Sequence, residues 1–94
     1  MTPIPFKKVR TAANGLLAQL SRTYHRDIPL GTIEAGLLLL DLRMADEGGF
    51  ILCGRDGHTT VPLTFHGAPV PAVLSLSWHR MDGSGSYEIT AYVS

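Results

Sequence analysis

Ninety-four residues, 45% hydrophobic and 17% charged, with a formal net charge of zero, suffice for one globular domain and not for two. That composition excludes a disordered chain, and no apolar run exceeds four residues, as in Leu37–Leu40, where a membrane-spanning helix needs about 20. The charge is uneven: Lys7, Lys8, Arg10, Arg22 and Arg26 stand against Asp27 alone in residues 1–27, a net +4, while Arg43, Arg55 and Arg80 stand against seven acids in residues 28–94, a net −4. Such a split makes a dipolar surface able to orient a charged partner.

Residues 1–5 form a Pro-stiffened lead-in without a charged-then-apolar signal pattern. Together with a single cysteine, Cys53, this leads us to expect a reducing, cytoplasmic compartment. From Phe6 onward Val9, Ala13, Leu16, Leu17, Leu20 and Tyr24 recur in steps of one, three or four, and Lys7, Arg10, Asn14, Ser21 and His25 fall on the opposite side. The spacing predicts an amphipathic helix over about 6–25, weakened at Gly15 and ended by Asp27-Ile28-Pro29.

Residues 32–46 fit two patterns. Thr32 suits an N-cap, Glu34 suits the first turn, and Ile33, Leu37, Leu40 and Met44 have helical spacing before Gly48-Gly49. A strand through Leu38, Leu40, Leu42 and Met44 is the alternative. Because Leu, Met, Ala and Glu dominate and β-branched residues are nearly absent, the reading is a second, largely buried helix over about 32–46.

The rest reads as strands over about 50–55, 58–66, 72–81 and 84–93. Asp56-Gly57 and Asp82-Gly83 are strong two-residue hairpin signals. The first pairs Arg55 with His58, and so Leu52 with Val61 and Phe50 with Leu63. The second pairs Met81 with Ser84, and so Trp78 with Tyr87, Leu76 with Ile89 and Leu74 with Ala91. Between them, 67–71 reads as a stiff connection. The predicted class is α+β, with two N-terminal helices packed on one face of a four-stranded antiparallel meander sheet. Phe50, Leu52, Val61, Leu63, Phe65, Leu74, Leu76, Trp78, Tyr87, Ile89, Ala91 and Val93 face inward. A Ser, Thr and His-rich set faces out, including Arg55, His58, His66, His79 and Tyr92.

No constellation carries chemistry at a usable spacing. His58 and His66 lie eight residues apart on one strand, roughly 27 Å, too far to share a metal. An alignment that matches the apolar faces puts His58 beside His79, yet two histidines make no closed site. Cys53 has no base within its predicted reach, and Gly83-Ser84-Gly85 opens no helix. Asp41 and Asp46 read as solvated charges. No catalytic residue, metal or cofactor is therefore expected. The expectation is a small non-catalytic protein-binding module, an adaptor or stoichiometric inhibitor of a larger protein or nucleoprotein complex. Phage-encoded inhibitors of host defence, such as anti-CRISPR proteins, offer an analogy of size only. Arg55, His58, His79 and Tyr92 are the candidate binding residues on the sheet, and Lys7, Arg10 and Arg22 on the helix. Two alternatives stand beside it: nucleic-acid binding by the basic helix, against which the isoelectric point near 6.9 speaks, and a homodimer or larger homo-oligomeric structural protein.

Overall fold

The computed structural model describes residues 6–21, 23–24, 28–29, 31–45, 51–52, 56–81 and 86–94, with backbone only at 23–24, 28–29 and 51–52. The elements in chain order are α1 (Phe6–Leu20), β1 (Thr23–Tyr24), β2 (Ile28–Pro29), α2 (Gly31–Leu39), β3 (Leu42–Met44), β4 (Ile51–Leu52), β5 (Gly57–Phe65), β6 (Ala68–Arg80) and β7 (Tyr87–Val93). Two N-terminal helices lie against a four-stranded antiparallel meander, β3-β5-β6-β7, curled into a half-barrel. The two-residue β1 extends the far edge of β7, and β4 pairs with β2 in a separate ladder.

The inward alternation follows the sequence reading. Val61, Leu63, Leu74, Leu76, Tyr87, Ile89, Ala91 and Val93 are buried, and Phe65 and Trp78 pack half-buried at the rim of this core. Ala13 and Leu17 of α1 and Ile33 and Leu37 of α2 cover them. On the other side His58, Thr60, Ser77, His79, Glu88, Thr90 and Tyr92 are exposed.

Both helices end earlier than their periodicity implies. α1 stops at Leu20, and the Ser21 amide and hydroxyl both donate to the Leu17 carbonyl at its end. Thr23–Tyr24 is strand, paired with Glu88 and Tyr87, rather than the helical continuation to residue 25. α2 stops at Leu39; the Leu40 and Asp41 amides donate to Leu37 and Leu38 in a tightened last turn, and Asp41 takes a left-handed φ of 60°. That reversal lays Leu42–Met44 antiparallel on β5, with Leu42 opposite Phe65 and Met44 opposite Leu63. A Leu-rich run satisfies periods of 3.6 and 2 alike, and here the open edge of β5 decides.

This displaces the first expected hairpin. Leu63 is paired with Met44, and Ile51–Leu52 pairs with Pro29 and Ile28 rather than placing Leu52 against Val61; Phe50, the expected partner of Leu63, lies outside the described residues. Gly57 is extended strand, opposite Trp78, instead of the second residue of a tight turn. A Cβ at Gly57 would lie 2.6 Å from Trp78 Cζ2, so this glycine is the bare platform on which the indole rests. Asp56 accepts a hydrogen bond from the Arg80 amide at 2.6 Å and so holds the end of β6. Arg55 lies outside the described residues.

The tight turn is instead His66-Gly67, with φ of 51° and 80° at the two central residues, the positive pair that a type I′ hairpin requires. Phe65 pairs directly with Ala68, so 68–71 is strand and not connection. The β5–β6 register sets His58 opposite Ser77, two residues away from the expected His79, which faces Glu88 on β7. The β6–β7 register is also shifted by two: Arg80 opposes Tyr87, Trp78 opposes Ile89 and Leu76 opposes Ala91. The Met81 amide donates to the Ser86 carbonyl, leaving four residues, 82–85, as the connection; they lie outside the described residues. A shift of two keeps every side chain on its face, which is why burial survived the change.

Two stretches of open strand edge, one on β7 and one on β6, are blunted by side chains, and β3 forms the other margin of the sheet. The Ala91 amide donates to Ser21 Oγ at 2.9 Å, and the Val93 amide to Asn14 Oδ1. Residues 14 and 21 are two helical turns apart on one face, so the side of α1 expected to face water instead clamps the free edge of β7. At the other end, Val73 exchanges both backbone bonds with Ser94 (3.1 and 3.0 Å), where β6–β7 pairing stops. Two and four residues earlier on that side stand Pro71 and Pro69, which have no N–H to offer. Pro62 sits where β3 gives out, its carbonyl accepting from the Ala45 amide at 2.8 Å.

Candidate functional site

The concave feature with converging polar groups lies between the helices and the β5–β6 turn. Its apolar lining is Val9 and Ala12 of α1, Leu39 and Leu40 at the end of α2, and Phe65 of β5; Lys8, Asp41 and His66 stand at its rim. The groove holds about 420 Å³, and Lys8 and Ala12 also line a second depression together with Lys7 and Thr11.

Two strained residues define one wall. Asp41 and His66 both have left-handed φ, and His66 Nδ1 lies 2.5 Å from Asp41 Oδ2. A left-handed residue other than glycine costs roughly 1–2 kcal/mol. The antiparallel register explains their meeting: Leu42 opposes Phe65, so the next residues out, Asp41 and His66, cap that ladder. The His66 ring also meets the Phe65 ring edge-on, with centroids 4.4 Å apart. Imidazole Nδ1–H donating to the carboxylate orients the ring and leaves Nε2 as a second hydrogen-bonding atom. An oriented imidazole is also half of an acid–base pair, but the groove lining offers no Ser or Cys nucleophile for it to activate. Among the described residues no three His, Cys, Asp or Glu side chains cluster as metal ligands do.

Leu39 is 83% exposed and Leu38 42%, although α2 was expected to be largely buried. The helix covers the core with Ile33, Gly36 and Leu37 and turns these two leucines outward. α1 and α2 meet closely at Gly36, where a Cβ would lie 2.7 Å from Leu20 Cδ1, a rotatable methyl. Lys7 and Lys8 stand in the first turn of α1, which has no acidic residue there and no basic residue in its last turn. This is the reverse of what the helix macrodipole favours, at about 0.3–1 kcal/mol per misplaced charge.

The sequence-predicted site residues do not form one surface. His58, His79 and Tyr92 are exposed together on the outer face of the sheet; Lys7 and Arg10 are exposed on α1, which covers the inner face. Arg55 and Arg22 lie outside the described residues. At 100° per residue Lys7 and Arg10 are about 60° apart around α1 and Lys8 is about 160° from Arg10, so the two predicted cations share a side of the helix and Lys8 stands on the other flank. Sequence reasoning missed Lys8, Leu39, Asp41 and His66 as a group. The signal was present: a strand through Leu42 and Met44 aligned on β5 places Asp41 next to His66.

No helix among the described residues is long and apolar enough to cross a membrane. No protein-family model, curated protein or solved structure matches this chain, so its functional reading rests on the residues of this site.

Proposed function

We propose that this chain is a small non-catalytic protein-binding module, acting as an adaptor or stoichiometric inhibitor of a larger protein or complex, and that it engages its partner through the groove between α1, α2 and the β5–β6 turn. The observation that carries this is Leu39, 83% exposed beside an apolar groove. Burying a leucine side chain is worth roughly 1.5–3 kcal/mol, so a partner that covers it gains about ten- to a hundredfold in affinity from this residue alone. The Ser21 and Asn14 side chains work against strand addition along β7, and the groove offers side-chain docking instead. The outer sheet face offers Tyr92, 47% exposed, on a Ser/Thr/His-rich surface.

The test is affinity capture from the native cell with the wild-type chain, Leu39→Asp, and a His58→Ala/Tyr92→Ala double variant, followed by identification of what is retained. One partner held in a fixed ratio by the wild type and the double variant, and lost with Leu39→Asp, is the expected result. Retention by Leu39→Asp with loss in the double variant moves the interface to the sheet and refutes the groove.

A further inference from the structure

We draw no further inference here: the strongest candidate, the apolar groove between α1, the end of α2 and the β5–β6 turn with the exposed Leu39 beside it, has both Lys8 and the Asp41 carboxylate at its rim, and nothing in the structure shows what covers it.

Discussion

Replacing Asn14 by alanine discriminates sharply between two readings of α1. If Asn14 only faced water in mid-helix, as its place on the helical wheel implies, Asn14→Ala would stabilise the protein by up to about 0.7 kcal/mol through helix propensity. In the structure Asn14 Oδ1 accepts the Val93 amide at the free edge of β7. Leaving a partly buried N–H without a partner costs about 1–3 kcal/mol. The two terms oppose each other, and the larger sets the sign: a net loss of roughly 0.5–2.5 kcal/mol. A chain of this length has about 5–14 kcal/mol to lose, and each kcal/mol moves the melting temperature by about 4–8 °C. Asn14→Asp keeps an oxygen acceptor and should remain within about 0.5 kcal/mol of the parent. Urea unfolding followed by circular dichroism measures the stability, and amide hydrogen exchange reports Val93 directly. If Asn14→Ala proves as stable as the parent, or if Val93 keeps its full protection, then α1 does not clamp β7 as described.

Four further outcomes follow from the packing. Gly57→Ala should destabilise by about 1–3 kcal/mol, because a ring carbon of Trp78 stands 2.6 Å from the new Cβ; since Trp78 is the only tryptophan, a shift in its fluorescence should accompany the loss. Gly36→Ala should be neutral or slightly stabilising, since the atom it meets is a rotatable leucine methyl and Ala gains about 1 kcal/mol of helix propensity; a loss above about 1 kcal/mol in a thermal melt would contradict this. Restoring two edge donors with Pro69→Thr/Pro71→Thr should produce concentration-dependent self-association in light scattering, where the parent shows less; equal behaviour would mean that the prolines do not guard this edge. His66→Asn places Asn-Gly in the type I′ turn and should hold or raise the melting temperature despite losing the contact with Asp41, because exposed ion pairs are worth at most about 1 kcal/mol; a clear fall would make that contact the stronger term.

The site was harder to read than the fold because it depends on where elements end. Leu38, Leu39 and Leu40 are chemically alike in the sequence, yet only the early stop of α2 at Leu39 makes one of them four-fifths exposed. Asp41 and His66 are 25 residues apart and carry no motif; what joins them is the pairing of β3 with β5. Asn14 and Ser21 had the polarity of a solvated face, and the free edge of β7 recruited them.

Local patterning determined the class of fold, the amphipathic first helix and the face that each strand residue of β5, β6 and β7 presents, since a period of two needs only the sequence of alternation and survives any even shift in alignment. Tertiary structure decided which strand lies beside which. The edge of β5 could accept either 50–55 or 42–44, and both carry apolar residues that suit it. Burial of Leu42 and Leu63, reached through the left-handed turn at Asp41, settled the choice, and that same turn made the groove.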